Sequence, residues 1–425
     1  MVLVLGVGFF LFLFIGIPVA FVLGAATLGY VLTEPRLDLQ IIPTRLFTGI
    51  DVFPIMAIPF FILAGALMNE GGMTSRLVTF AKNLVGHYRG GLAQVNVLAS
   101  MLMSGRTGSA VADTSAVGGA LIPAMVEDRY PRPFAAAVTA SSSTMGPILP
   151  PSIAMIIYGT IANVSIGALF IAGVVPGILI GLALMGTVWL VSKRAGYSKG
   201  VRASWRQRIA GTGDALIALA MPGIILVGMI SGVFTATEAG AIAVLYGLII
   251  GLLVYRELTV KRLIGVLLES GLTSAVVLLI IGMAAPFSFA LAAERIPQQM
   301  ADAVLTLSEN PIIVLLLITL LLLFVGAFLE TTAALIIFVP VLTPIAMNLG
   351  IDPIHFGMIV ILNLVIGLTT PPLGVCLLLA SSIARTPYEK AVRAVLPFLG
   401  ALLLVLLLVM YVPPLSTALG NFFQP

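Results

Sequence analysis

Apolar residues run through this chain in long stretches, and short polar or helix-breaking segments interrupt them. Residues 133–192 and 394–425 contain no Asp, Glu, Lys or Arg. A membrane-spanning helix needs about 20 consecutive apolar residues. The length of 425 residues therefore allows on the order of ten to twelve spans or half-spans. The pattern predicts an all-α, polytopic membrane protein.

One pattern of interruptions occurs twice, with the two copies 221 residues apart. An isolated Gly or Pro usually only kinks a membrane helix. Interruptions at corresponding positions of two halves are instead the best sequence indication of a transporter's binding site. The corresponding positions are Gly105 and Gly326, Pro123 and Pro344, Gly146 and Gly367, and Pro150-Pro151 and Pro371-Pro372.

Each copy predicts a re-entrant helical hairpin followed by a broken helix. The hairpin arms are too short to span comfortably, and the bare backbone at a tip must line a cavity or be buried in protein. Hairpins combined with broken helices favour repeats of inverted orientation. The predicted ranges are a first repeat at 1–192 with its hairpin at about 91–125 and its broken helix at about 134–161, and a second repeat at 214–425 with its hairpin at about 312–347, its broken helix at about 354–383 and a terminal span.

Residues 193–213 form a basic segment between the repeats and contain no acidic residue. The positive-inside rule predicts that this loop is cytoplasmic. A nucleic-acid or lipid-headgroup patch is the alternative, but a topogenic loop is the usual element between spans, and we predict no nucleic-acid partner. A single cysteine and two histidines leave little scope for a metal site built from those side chains.

The interrupted helices suit ion binding. A helix that stops inside the membrane leaves unpaired carbonyls at its C-terminal end and unpaired N–H groups at its start. The carbonyls can ligate sodium, the N–H groups can face an anion, and Ser or Thr hydroxyls add neutral oxygens. The alternative is that these hydroxyls bond back to helix carbonyls. We predict one sodium site at Ser104, Gly105, Thr107, Gly146 and Pro150, and a second at Gly326, Thr331, Gly367, Thr370 and Leu373.

Charged residues within the membrane mark a candidate substrate site, because each is costly unless it is paired or faces water. Arg106 in the first hairpin tip could hold a substrate carboxylate, or could pair with Asp113 or Glu330. Arg295 could belong to an interfacial pair or reach the cavity. The predicted substrate-contacting residues are Arg106, Ser109, Asp113, Ser152, Arg295 and Glu330.

At the hairpins and the Pro-Pro breaks the chain resembles the large membrane subunit (the DctM-like or M subunit) of tripartite ATP-independent periplasmic (TRAP) transporters. The likeness covers nearly the whole length. One departure concerns Arg106, since the family often has a small residue near this tip. The matching segments are 104–113, 146–152 and 367–372.

The resemblance implies an elevator-type, ion-transporter-like fold and no enzymatic activity. It implies a sodium-coupled secondary importer of organic acids, such as C4-dicarboxylates or sialic acid, that uses two or more sodium ions in the bacterial inner membrane. The implied partners are a small four-helix membrane subunit (the Q subunit), a periplasmic substrate-binding protein (the P subunit) that largely selects the solute, and membrane lipid.

Two other classes compete with this interpretation. A stand-alone sodium- or proton-coupled anion or dicarboxylate carrier could use the same repeats without a binding protein. Dependence on a periplasmic partner and on sodium would distinguish it. An intramembrane serine protease would need a Gly-x-Ser-Gly motif with a histidine, whereas Ser104-Gly105 follows Met103 and has no histidine nearby.

Overall fold

A computed structural model describes residues 2–197, 200, 202–307 and 310–423. These residues form helices joined by short loops, with no β-strand among them. Eight helical segments within this part are long and apolar enough to cross a membrane, so the predicted all-α polytopic architecture is confirmed. The helices are α1 Val2–Phe14, α2 Val19–Thr33, α3 Ile41–Ile50, α4 Ala57–Glu70, α5 Met73–Val85, α6 Gly91–Thr107, α7 Ala110–Glu127, α8 Arg132–Ser143, α9 Ile153–Ala162, α10 Ile166–Ala195, α11 Trp205–Ile230, α12 Ala236–Ile249, α13 Val260–Ala293, α14 Ile296–Leu307, α15 Pro311–Phe328, α16 Thr331–Asn348, α17 Pro353–Gly367, α18 Val375–Ala384, α19 Tyr388–Tyr411 and α20 Pro414–Phe423.

The two copies of the pattern fold alike. Helix α5 corresponds to α14, the α6–α7 hairpin to α15–α16, the broken helix α8–α9 to α17–α18, and α10 to α19. Both breaks contain a cis peptide bond, Pro150–Pro151 in the first copy and Pro371–Pro372 in the second. The repeated interruptions therefore correspond to repeated structure.

The copies have opposite orientations in the membrane. Between α5 and α14 the chain passes one hairpin, which returns to its starting side, and then crosses by α8–α9, α10, α11, α12 and α13. Helices α8 and α9 have 12 and 10 residues, so neither spans alone and together they make one crossing. Helix α8 packs on α7, α18 and α19, and α9 on α10, α16 and α17. An odd number of crossings reverses the chain, so the repeats are inverted, as predicted.

Each hairpin packs against the broken helix of the other copy. Helix α7 lies on α18, and α16 lies on α9. Hydrogen bonds also join the two broken helices to each other: Arg132 Nη1 at the start of α8 donates to the Ala384 carbonyl of α18 at 2.8 Å, and the Tyr158 hydroxyl of α9 donates to the Pro353 carbonyl of α17 at 2.7 Å. The two hairpins and two broken helices therefore form one interleaved unit.

The loop between α10 and α11 defines one face of the protein, here called the basic face. The end of α2 is tied to the end of α13 on the opposite face, where the Tyr30 hydroxyl donates to Glu294 at 3.0 Å. Only Arg36, Arg45 and Arg295 are basic among the described residues of that face. Those on the basic face are Arg76, Lys82, Arg89, Arg129, Arg132, Lys193, Arg194, Arg202, Arg206, Arg208, Arg256, Lys261, Arg262, Arg385, Lys390 and Arg393.

Three helices are longer than the sequence pattern predicts. The arms α6 and α7 contain 17 and 18 residues, because the polar segment after Met103 stays helical almost to the tip. Helix α11 begins at Trp205, inside the range predicted as the basic loop. Ser204 and Gln207 form a capping box there, which satisfies backbone donors in the first turn.

Candidate ion and substrate site

The tip of the first hairpin lies directly against the start of α9. Gly108 ends α6 with a φ of 58°, in the left-handed region. A β-carbon at this position would lie 2.8 Å from the amide nitrogen of Ile153 and 3.4 Å from the Cα atom of Ser152. Only glycine combines this backbone conformation with so close an approach. The tip and the break between α8 and α9 therefore share one location.

The second hairpin makes a backbone contact with the end of α17. A β-carbon on Gly326 would lie 2.7 Å from the Leu364 carbonyl oxygen, and one on Gly367 would lie 2.5 Å from the Cα atom of Gly326. The amide of Gly374, beyond the break, donates to the Ala327 carbonyl at 3.2 Å. Two glycines and a cross-segment hydrogen bond thus hold the second tip against the second break.

Several predicted hydroxyl ligands bond back to their own helices. Ser104 donates to the Met101 carbonyl at 2.6 Å, and Thr370 donates to the Ile366 carbonyl at 2.9 Å. This is the arrangement that the sequence left open as the alternative to ion binding. A hydroxyl has one hydrogen and two lone pairs, so a hydroxyl that donates in this way keeps oxygen lone pairs for a second partner.

Thr331 differs from the other hydroxyl residues. It is the first residue of α16 and is 4% exposed, and its hydroxyl has no hydrogen-bond partner among the described residues. A buried hydroxyl without a partner costs about 1–3 kcal/mol. Its position at the second tip fits a cation ligand. Across the described residues, no three His, Cys, Asp or Glu side chains come together as a metal site.

An acidic side chain lies at the start of the second arm of each hairpin, α7 in the first and α16 in the second. Asp113 is fully buried in the first turn of α7, and a β-carbon on Gly146 would lie 2.6 Å from its carboxylate oxygen and 3.3 Å from the Ser109 carbonyl. Glu330 caps α16 by accepting from the Thr332 amide at 2.8 Å. The structure therefore brings Ser109, Asp113 and Gly146 together at the first break, and Glu330 lies at the second tip.

The remaining predicted positions divide into three groups. Gly105, Arg106 and Thr107 end α6, and their side chains lie outside the described part of the structure. Ser152 caps α9 and donates to the Pro147 carbonyl, which gives it a structural role in the break. Arg295 is exposed at the end of α13 on the opposite face, and the structure does not place it with the tips.

The two breaks differ in exposure. Pro150 and the rest of the first break are buried or nearly so, whereas Leu373 in the second break is 41% exposed. The carbonyl of Leu373 accepts a hydrogen bond from the Tyr388 hydroxyl at 2.7 Å. That oxygen already has one partner, and Tyr388 connects the second break to the start of α19.

A path of small residues leads from the first tip toward the basic face. Ala112, Ser115, Gly119 and Pro123 are exposed along one side of α7. Between Tyr88 and Ile178, no large hydrophobic side chain that the structure describes is exposed. A lipid-facing helix would present such side chains, so this side of α7 suits an aqueous passage.

The sequence model of the family described as "Tripartite ATP-independent periplasmic transporter, DctM component" matches residues 6–415. The chain belongs to this family. It is 43% identical to the sialic acid TRAP transporter large permease protein SiaM of Vibrio cholerae, over 97% of this chain and 96% of that protein. It is also 43% identical to the C4-dicarboxylate TRAP transporter large permease protein DctM of Pseudomonas aeruginosa, over 89% and 88% of the two chains. The predicted resemblance is confirmed.

The fold of this TRAP large permease occurs in a solved structure of low sequence identity. The crystal structure of the Alcanivorax borkumensis YdaH transporter, reported to have an unusual topology, superposes with a TM-score of 0.67 at 16% identity. The match covers 98% of the permease and 100% of the YdaH chain. The relatives SiaM and DctM are transporter permeases by name. The permease also contains the tetrapeptide Gly-Thr-Gly-Asp, which ends at Asp214 and is a pattern found in aspartyl membrane proteases. Asp214 is exposed near the start of α11.

Sequence reasoning missed a ladder of buried polar side chains in the permease. Asn96 of α6 donates to Thr139 of α8 at 2.7 Å and accepts from Ser142 at 3.0 Å, and Ser100 donates to Ser142 at 2.9 Å. All four are 0% exposed. In the sequence, the run of hydroxyl residues at 141–144 within a stretch without charged residues was the signal that indicated a buried polar ladder. The ladder fixes the first hairpin arm to the helix that enters the break.

We expect Asn96→Leu to destabilise the permease, because it leaves the buried hydroxyls of Thr139 and Ser142 without their amide partner. The loss should be about 1–3 kcal/mol, visible as a lower Tm of purified protein in detergent. Ser165→Ala, which removes an N-cap hydrogen bond at the start of α10, should cost only about 1 kcal/mol. An unchanged Tm for Asn96→Leu would contradict a structural role for the ladder.

Proposed function

We propose that this permease is the membrane transport subunit of a sodium-coupled secondary importer of organic acids in the bacterial inner membrane. The carboxylate solutes include C4-dicarboxylates, sialic acid and related acids, and the named relatives transport sialic acid and C4-dicarboxylates. The solute arrives from a periplasmic binding protein, and a small Q-type subunit completes the membrane part. The basic face is then cytoplasmic, as the concentration of Arg and Lys on that face favours.

The observation that carries the proposal is the meeting of each hairpin tip with a broken helix. At the second site the backbone contact of Gly326 with Gly367 places helix ends together, and Thr331 contributes a buried hydroxyl without a partner. Neutral oxygens of this kind suit sodium rather than a transition metal. Ser104, Gly105, Thr107, Gly146 and Pro150 would supply the first sodium site, and Thr370 and Leu373 would complete the second.

Organic-acid binding is proposed at the first tip. Arg106, Ser109 and Asp113 belong to the same tip, and the start of α9 faces it. An arginine can hold a carboxylate with two hydrogen bonds, and the N-terminal end of a helix favours an anion. Solute bound there, together with sodium, would cross the membrane by an elevator movement, which the interleaved packing of both hairpins and both broken helices supports.

Transport in proteoliposomes tests this function. The permease, its Q-type subunit and the binding protein encoded beside it are reconstituted, and uptake of radiolabelled organic acids is measured with an inward sodium gradient, a proton gradient or neither. We expect uptake only with sodium and the binding protein together. Uptake that needs no binding protein would contradict the tripartite assignment and favour a stand-alone carrier. Uptake driven by protons alone would contradict sodium coupling.

A further inference from the structure

A second candidate site lies on the basic face, where the end of α5 meets the start of α11. Gly200 packs against the loop that follows α5, since a β-carbon there would lie 2.1 Å from the Gly86 carbonyl oxygen. Asn83 Nδ2 donates to the Gln207 carbonyl at 3.2 Å. His87 in this loop and Arg208 in the first turn of α11 are both half-buried beside these contacts.

Two buried nitrogen atoms at this junction lack partners. His87 Nδ1 and Arg208 Nε are both inaccessible to solvent, and neither has a hydrogen-bond partner among the described residues. Burial lowers the pKa of His87, and the positive charges of Arg202 and Arg208 lower it further. The imidazole therefore sits among cations, and the segment 193–213 supplies no acid to balance them. An anion at this junction would supply the acceptor that both nitrogens lack.

Exposed aromatic and apolar side chains border the same junction. The side chain of Trp205 is 77% exposed and that of Ile209 is 69% exposed. The guanidinium of Arg208 lies over the Trp205 ring, 5.8 Å from its centroid. Trp and Tyr are enriched at the headgroup level of the bilayer, where one part of the side chain is apolar and the other is hydrated. The anion is thus expected at the membrane interface.

We propose that this junction binds the phosphate group of an anionic phospholipid. The Nδ1–H of neutral His87 and the Nε–H of Arg208 donate to phosphate oxygens, Arg202 adds a positive charge, and Trp205 and Ile209 lie against the acyl chain. Free phosphate shares the recognised chemistry. The apolar border favours the lipid, and basic pockets between membrane helices on the cytoplasmic side commonly hold anionic headgroups.

Fluorescence of Trp205 provides a direct test. The chain has two tryptophans, so Trp189→Phe leaves Trp205 as the reporter in the purified full-length permease. Mixed micelles contain increasing fractions of brominated phosphatidylglycerol or brominated phosphatidylcholine. We expect phosphatidylglycerol to reach half-maximal quenching at a fraction about fivefold lower, the preference that one well-placed basic residue confers.

Three arginine variants in the Trp189→Phe background distinguish a specific lipid site from a general attraction of the basic face for anionic lipid. Arg208→Gln and Arg202→Gln should abolish the lipid preference, and Arg206→Gln, which removes the same charge from the same turn, should retain it. Arg202 and Arg206 are exposed, so neither substitution threatens folding. Equal quenching by the two lipids, or equal losses in all three variants, would overturn the proposal. So would a gain in Tm with inorganic phosphate in the absence of any lipid preference.

Discussion

Replacement of Gly367 by alanine is expected to abolish uptake, with a loss of more than about 90%, while the permease still inserts and can be purified. The added methyl group would lie 2.5 Å from the Cα atom of Gly326, a separation that the backbone of the tip cannot keep. Overpacking of a tight site costs about 1–3 kcal/mol and shifts the backbone. The second hairpin tip would move away from the second break. Thr331 of the tip would then separate from the proposed ligands Thr370 and Leu373 of the break.

The measurement is initial-rate uptake in proteoliposomes at equal reconstituted protein. Gly400→Ala is the matched control, because this helical glycine of α19 has no atom within 4 Å of an added β-carbon. The control should transport at the wild-type rate. A Gly367→Ala permease with normal uptake would show that the backbone contact between the second tip and the second break is not required for transport.

Loss of the Thr331 hydroxyl is expected to weaken sodium dependence specifically. Thr331→Val keeps the shape of the side chain but removes an oxygen that has no partner within the described protein. If this oxygen ligates sodium, the half-saturating sodium concentration should rise on the order of tenfold, which is about 1.4 kcal/mol. Uptake at saturating sodium should recover most of the wild-type rate. Thr331→Ser should retain wild-type affinity.

Thr27→Val serves as the control for hydroxyl loss. Thr27 is also buried, but its hydroxyl donates to the Leu23 carbonyl of its own helix at 2.8 Å, remote in sequence from both tips. Sodium titrations of uptake should be the same for this variant and for wild type. An unchanged sodium titration for Thr331→Val would remove Thr331 from the proposed second ion site and leave Gly326, Gly367 and Thr370 to be tested separately.

Much of the architecture could be predicted because helix breakers act locally. Clustered Gly and Pro, as in the two Pro-Pro breaks, interrupt a helix, and their repetition located both hairpins and both breaks from the sequence alone. Single residues such as Pro123 and Pro344 remain inside α7 and α16. The boundaries were less predictable. Hydroxyl residues after Met103 looked like a tip but remain in α6, since Ser104 hydrogen-bonds within its own helix. The capping box at Ser204 was a readable signal for the start of α11.

The candidate site was harder to predict, because it depends on contacts between distant segments. The sequence does not indicate that α7 packs on α18 or that Gly326 contacts Gly367. The sequence left open whether Arg295 belongs to an interfacial pair or reaches the cavity, and in the structure it is exposed at the end of α13 on the opposite face. The sequence also placed Ser152 among the substrate ligands; in the structure it caps α9 beside the first tip, and its contact with substrate stays a prediction. Local chemistry identified suitable residue types, and tertiary packing decided which of them meet.

The crossed packing of the hairpins also constrains the biogenesis of the permease. Helix α7 enters the membrane early in synthesis, but its partner α18 is among the last segments to be translated. Until then, the side of α7 that carries Thr114 and Gly118 lacks the α18 surface that covers it in the finished protein. The first half must therefore persist in the bilayer as an incomplete intermediate, and a chain truncated before α17 would leave this side of α7 uncovered.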